Sequence, residues 1–342
     1  MHDSGRRAAS GEVGERFTFR EYRAEDAAAF LELFARSFHQ QPSVETLHWK
    51  YERNPFGNER SSVTFDESGR MVAHYGGYVV PFFDRGAERI AHQVADIMTE
   101  RSVRHVGLGP TSIHGRNALH FYQRFCDERV AFNYGFSTAT SQKFAIRFLR
   151  AERVEPAPYR LRDMRSDPIP PIGRLQRWQR GYQLEEVTTV GPEYDRFFAR
   201  VTPAYGFLVR RDARYLRWRY LEAPASPYLM MAIRKWRRLV GWSVFRVREN
   251  RIVWGDALFD PRHPDAVEIV LRHVVPGRHV ERIEGWFPPR PAWFDAILER
   301  LQMMGRPEPQ DLALMCVPFT MKDAVERMRH DLYYTLGDSD LY

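Results

Sequence analysis

The sequence predicts an α/β (α+β) protein of two similar domains in tandem, and three observations predict it. Its 342 residues are about two domains' worth of chain. Leu47 to Pro55 reads LHWKYERNP and Leu216 to Pro224 reads LRWRYLEAP, a return after 169 residues, with Phe34-Ala35-Arg36 answered upstream by Phe198-Ala199-Arg200. Such an internal repeat fixes the domain plan before any element is assigned. Within each half, apolar patterns of period two alternate with patterns of period three to four, as strands and helices of a mixed sheet do.

Taken in order, FTFREY from Phe17 alternates apolar and polar residues as a strand, and Asp26 is placed to cap a helix whose Phe30, Phe34 and Phe38 recur every four residues. Ser43 caps a second helix carrying Leu47, Trp49 and Tyr51, which Asn54-Pro55-Phe56-Gly57 ends. Ser62 to Phe65 and Met71 to Val80 read as a hairpin about the turn Asp66 to Gly69, and Ile90 to Thr99 as the next strand. A loop, a helix from Pro110 bearing Ala118, Phe121, Tyr122 and Phe125, a strand Val130 to Phe136 and a helix Ser141 to Leu149 complete the order βααβββαβα. The second half repeats it, from a strand at Tyr182 to a helix at Pro291. Expected boundaries are a disordered tail at 1–15, a first domain at 16–161, a proline-rich linker at 162–181, a second domain at 182–320 and a C-terminal tail folding back at 321–342.

Composition narrows the function classes. With 44% hydrophobic and 28% charged residues the chain is neither collagen-like nor compositionally disordered. Two distant cysteines, Cys126 and Cys316, without CxxC spacing fit a reducing compartment and argue against zinc. No run approaches the ~18 apolar residues of a membrane helix, and the first fifteen residues lack a signal-peptide core, so a soluble cytoplasmic protein without membrane contact is expected. The net charge is +7, with only four lysines among 51 basic residues. The arginines are dispersed, the densest run being Arg234 to Arg238, and no nucleic-acid motif accompanies them, so nucleic acid is not an expected partner.

The chemically suggestive segment is VADIMTERSVRHVGLG, Val94 to Gly109, which leads from an apolar strand through Arg-x-x-Gly-x-Gly into a helix. Glycines let a backbone approach a ligand with its N–H groups exposed. At a helix start those donors join the uncovered amides and the positive end of the helix dipole, a suitable seat for a diphosphate. Arg101 and Arg104 add full charges.

Together with FNYGF (Phe132 to Phe136), this segment resembles the GNAT superfamily of acyl-CoA-dependent N-acyltransferases, whose signature is [Gln/Arg]-x-x-Gly-x-[Gly/Ala] after the fourth strand. The likeness covers Phe17 to about Leu161. The second half is similar to a degenerate second copy, because ALFDPRHPDAVE (Ala257 to Glu268) stands where its loop should be and holds no glycine pair. The resemblance implies two tandem GNAT folds, each a mixed, mainly antiparallel sheet flanked by helices. It also implies an N-acetyltransferase that moves an acetyl group from acetyl-CoA to a primary amine of a small molecule, an amino sugar among the options, by direct attack in a ternary complex. Backbone groups of Arg104, His105, Val106, Gly107, Leu108 and Gly109 would hold the diphosphate. Ile97, Met98 and Thr99 would pair with the pantetheine arm, and an amide there would polarise the thioester carbonyl.

For the general base the expected residues are His92 and Asp96, which with Glu100 share a face if the strand is regular. For the acid the family's tyrosine is replaced by Phe148, which leaves Tyr134 or Tyr122. Some tandem members put a terminal carboxylate in the site, so the tail around Asp338, Asp340 and Tyr342 is a further expectation. Trp49, Trp218, His74, Tyr75 and Tyr78 read as packing residues. Rival readings are a FemX-like aminoacyl or acyl transferase with a tRNA- or carrier-borne donor, and a GNAT-fold binding module without chemistry. A homodimer is compatible with all three.

Overall fold

The computed structural model describes residues 16–41, 43–57, 60–224 and 228–342; the tail expected at 1–15 lies outside them. The chain forms two compact units, each assembled from separated stretches. The first takes residues up to Pro81, Arg89–Glu155 and Ala313–Val325, and the second takes Phe82–Glu88, Pro156–Leu312 and Glu326–Tyr342. Among the described residues no helix is long and apolar enough to cross a membrane.

With strands numbered along the chain, the first unit holds β1 (Phe17–Glu21), β2 (Arg60–Asp66), β3 (Met71–Asp84), β4 (Ala87–Thr99), β5 (Val130–Ser137), β6 (Glu152–Pro156) and β15 (Ala313–Pro318). Their order is β1-β2-β3-β4-β5-β15-β6, with β4 and β5 parallel and the β1–β2, β2–β3 and β5–β15 pairs antiparallel. Strand β3 is buried on both faces because helices cover each side. His74 meets Phe30 of the helix Ala27–Phe38, with ring centroids 4.8 Å apart, while its neighbour Tyr75 meets Phe121 of the helix Ile113–Phe125 at 5.4 Å. Period two thus sends adjacent residues into two separate layers.

Two helix starts test the capping expectations. Ser43 Oγ accepts the Thr46 amide at 3.1 Å, as its position before Val44–Leu47 predicts. Asp26 makes no side-chain cap. Its carboxylate is gripped by the Arg20 fork at 2.7 Å twice and by the Arg23 amide at 2.8 Å, so a bidentate ion pair outcompetes the helix for it.

The second unit repeats the plan with β7 (Tyr159–Asp163), β8 (Tyr182–Glu186), β10 (Tyr228–Lys235), β11 (Arg238–Val247), β12 (Arg251–Phe259), β13 (Arg282–Trp286) and β14 (Met304–Gly305), ordered β14-β7-β13-β12-β11-β10-β8. Again one pair, β12 with β13, is parallel and the other pairs are antiparallel. Short β9 (Phe207–Val209) pairs with Phe82–Asp84 and with β16 (Leu332–Tyr333). Both sheets are mixed, mainly antiparallel and flanked by helices, which is the fold class predicted.

The contiguous domains expected at 16–161 and 182–320 give way to discontinuous units. β15, late in the chain, enters the first sheet between β5 and β6, while β7, before the expected linker ends, enters the second. The span 162–181, though mostly exposed, is anchored at several buried residues. Arg162 is buried, with its guanidinium donating to the Leu301 and Asp167 carbonyls, and Arg174–Gln179 is helical.

A polar knot lies in the core of the second unit. Arg211, wholly buried, reaches Asp256 at 3.1 Å and also bonds Asp338. Removing one partner of such a buried set leaves uncompensated charge. Arg211→Met should therefore cost about 3–5 kcal/mol in urea unfolding followed by tryptophan fluorescence.

Candidate active site

The site begins where a ladder stops. β4 and β5 are paired from Ile90↔Val130 to Gln93↔Tyr134, yet β4 runs on to Thr99, and β5 continues through Gly135 to Ser137 paired with β15. A Cβ on Gly135 would sit 3.1 Å from the Val94 carbonyl oxygen, so the strands touch at Gly135 and part beyond it.

After β4 the chain turns through Arg101–Val103 and the glycine loop before the helix Ile113–Phe125. Gly107 and Gly109 have φ of 71° and 54°, a conformation that side chains disfavour. Space forbids them too: a Cβ on Gly107 would lie 2.4 Å from the Thr111 carbonyl oxygen, and one on Gly109 would lie 2.8 Å from the Phe148 ring. Ser112 locks the exit, accepting the Gly115 amide at 3.1 Å and donating to the Gly109 carbonyl at 2.6 Å. The N–H groups of His105, Gly107 and Gly109 donate to no acceptor among the described residues. Leu108 is exposed, Val106 half-buried, and Arg104 ties back to the Thr99 carbonyl at 2.9 Å. The loop is thus a rigid turn with unspent donors, which is what an anion seat requires.

The expected face shared by His92, Asp96 and Glu100 is broken. Asp96 has φ 51°, a left-handed kink that reverses the alternation of β4. His92 stays under the helix Ile113–Phe125, buried, its Nδ1 3.1 Å from Asn133 Oδ1 and its ring edge-on to Phe121. Asp96 emerges on the opposite side, where its Oδ2 takes Lys50 Nζ at 2.8 Å and the Tyr51 hydroxyl at 2.6 Å, while its carbonyl accepts Nδ1–H of His74 at 2.7 Å. Glu100 lies on that side too, bonded to Arg36 at 2.6 Å. Ile97 is exposed, Met98 buried and Thr99 half-buried.

Burial alone would raise the Asp96 carboxyl, but the Lys50 charge and the two hydrogen bonds outweigh it and hold it below its ordinary value. Burial drives His74 down to about 4, so it is neutral near pH 7. At the vertex of the diverging strands, Gln93 Oε1 accepts the Tyr78 hydroxyl at 2.6 Å and the Tyr134 hydroxyl at 3.0 Å. Tyr122, the other candidate acid, is half-buried against Tyr75, their hydroxyls 3.2 Å apart.

Sequence reasoning passed over Lys50, Tyr51 and Gln93. The repeat that marked Trp49 and Trp218 also set Lys50-Tyr51 against Arg219-Tyr220, and the tyrosines are the informative pair. In the second unit the Tyr220 hydroxyl donates to Asp256 at 2.6 Å, as Tyr51 does to Asp96. Gly285 meets the Trp254 carbonyl there as Gly135 meets that of Val94. What surrounds Asp256 differs. Its carboxylate also takes the Ala257 amide at 2.8 Å and the Thr335 hydroxyl at 2.9 Å. Arg219 donates to the carbonyls of Gly337, Ser339 and Tyr342. A Cβ on Gly255 would fall 1.8 Å from the Tyr342 ring, and the Tyr333 hydroxyl holds the Ala257 carbonyl at 2.8 Å. Tyr342 is therefore a buried residue of the second unit, packed beside Gly255 of β12.

No family model matches the sequence, and no curated protein sequence matches it significantly. Solved structures do. A probable N-acyltransferase of unknown function from Enterococcus faecalis shares 12% identity over 90% of this chain and 73% of its own, at a TM-score of 0.64. A GCN5-related N-acetyltransferase from Kribbella flavida shares 11% over 89% and 71%, at 0.63. N-myristoyltransferase from Saccharomyces cerevisiae, solved with myristoyl-CoA, shares 9% over 88% and 82%, at 0.57. The chain has the GNAT fold.

The two histidines of the first unit with strongly depressed values, His74 and His114, are both pushed to about 4 by burial. A depressed histidine contributes stability that is complete above the unfolded value of about 6.5 and lost as pH falls towards the folded one. Thermal unfolding should therefore show the melting point falling between pH 6.5 and 4, with a shallower fall in His74→Asn.

Proposed function

We propose that the chain is an acetyl-CoA-dependent N-acetyltransferase acting on a primary amine of a small molecule. The observation that carries this reading is the junction of two features: a β4–β5 ladder ending at Gln93/Tyr134 and, past β4, a glycine loop with three unspent amides. Within Arg104 to Gly109, the unspent amides of His105, Gly107 and Gly109 take the diphosphate. The pantetheine arm lies along Ile97 to Thr99, and a main-chain N–H there steadies the oxygen of the thioester as it gains charge. The ammonium first gives a proton to solvent, the free amine nitrogen attacks the thioester carbon, the nitrogen loses its second proton to solvent as the carbon–sulfur bond breaks, and coenzyme A leaves as the thiol.

Asp96, charged and held low, suits the attraction and orientation of an incoming ammonium better than proton abstraction. His92 is buried against Asn133, and its role is structural. Tyr134, at the vertex, is the hydroxyl placed to return a proton to the leaving thiolate. The second unit is a degenerate copy without a donor of its own: Ala257 to Glu268 lacks glycines, and Thr335–Tyr342 lies where a donor would pair. The tail is accordingly read as structural. A cytoplasmic protein fits this donor.

Calorimetry with acetyl-CoA should give one site per chain, and Gly107→Trp should weaken it at least tenfold, about 1.4 kcal/mol. Two sites, or none, would overturn the reading. Once a panel of amines monitored by thiol release has found an acceptor, Tyr134→Phe should lower kcat by about 10² to 10⁴ and leave the KM for acetyl-CoA unchanged. Equal loss in both would mark Tyr134 as a packing residue.

A further inference from the structure

The second unit holds a cavity of about 510 Å³ that the reading above does not use. That is within the range of about 300–1,000 Å³ typical of small-molecule sites. Arg246 near the end of β11, Arg248 in the following turn, and Arg251 and Arg282 at the starts of β12 and β13 line it, against two carboxylates, Glu284 and Glu308. Both carboxylates are already committed. Glu284 is shared by Arg251 at 3.0 Å, Arg282 at 3.4 Å and the Tyr159 hydroxyl at 2.8 Å. Glu308 Oε2 takes the amides of Gln310 and Leu312 at 2.8 and 2.9 Å.

Two guanidiniums are left without a carboxylate among the described residues. Arg248 is exposed and makes no side-chain bond. Arg246 lies against the rings of Tyr228 and Tyr342, 4.7 and 4.6 Å from their centroids, and donates to the Tyr228 hydroxyl at 2.8 Å, so its fork is held rigid without being neutralised. Uncompensated arginines lining one cavity, one of them held rigid, repel one another until an anion enters. Guanidinium forks match phosphate oxygens bidentately, and a dianion cancels the local excess of two charges.

We propose that this cavity binds the phosphate of a phosphorylated small molecule whose body is of sugar or nucleoside size. The site is separate from the glycine loop and owes nothing to it. The intact chain is titrated by calorimetry with ribose 5-phosphate and adenosine monophosphate, and with ribose and adenosine as uncharged controls. At least one phosphorylated probe should bind while the controls do not, more weakly as salt rises from about 0.05 to 0.3 M. Arg248→Glu should weaken binding at least tenfold and Arg282→Gln severalfold, and Gly107→Trp should leave it unchanged. Three results would overturn the proposal: no heat up to about 10 mM of any probe, equal binding by Arg248→Glu and the parent chain, or loss in Gly107→Trp, which would assign the phosphate to the glycine loop.

Discussion

The first unit depends on one residue that breaks its strand. A regular β4 would aim Asp96 under the helix Ile113–Phe125 beside His92. The left-handed backbone at Asp96 turns it to the other side, at a cost of about 1–2 kcal/mol. Three groups hold that conformation: Lys50 and Tyr51 on the carboxylate, and His74 on the carbonyl. They come from two stretches of chain remote from Asp96 in sequence, the helical turn His48–Glu52 and β3, so the kink is fixed by tertiary contacts and not by local preference. The kink lies just beyond the point where β4 leaves β5, because the last residue paired with β5 is Gln93 and the strand carries on without that partner.

The second unit meets the same requirement in its own way. Its register slips between Val244 and Phe245, skipping Gly255 on β12, and Asp256 is again held by a tyrosine hydroxyl. Where Lys50 reaches a carboxylate and two aromatic rings, Arg219 has a fork long enough to collect three main-chain carbonyls of Gly337–Tyr342. A planar guanidinium can organise a peptide segment as a point ammonium cannot. The position that pairs with the fourth strand in one copy therefore anchors a covering segment in the other.

Much of this was legible from residues alone. Period two gave β1 to β5 within a few residues, Ser43 announced its helix, and the glycine loop lies between strand and helix as its spacing required. The shared face of His92 and Asp96 was not legible, because that argument assumes an unbroken strand, and aspartate tolerates left-handed backbone well enough to leave no glycine as a marker. Nor could the placement of β15 between β5 and β6 be read. Strand pairing at such separation is decided by which sheet edge remains open, a property of the folded sheet and not of local pattern. Arg162 misled for a related reason: arginine in a proline-rich stretch reads as solvated until a helix end, here the Leu301 carbonyl, is found to need its donors.

Electrostatics then separates what the two aspartates can do. Asp96 has a cation on one side and half-buried surroundings on the other, which keeps it ionised and able to meet an arriving positive charge. Asp256 shares the buried Arg211 with Asp338, and one guanidinium cannot fully satisfy two carboxylates in a dry core. Burial accordingly pushes Asp338 up to about 6, against the pull of Arg211. A carboxyl raised in the fold contributes stability that is complete below its unfolded value and is lost as pH rises through the folded one. In the second unit the aspartate is thus spent on holding the chain together, and in the first it stays charged beside Lys50.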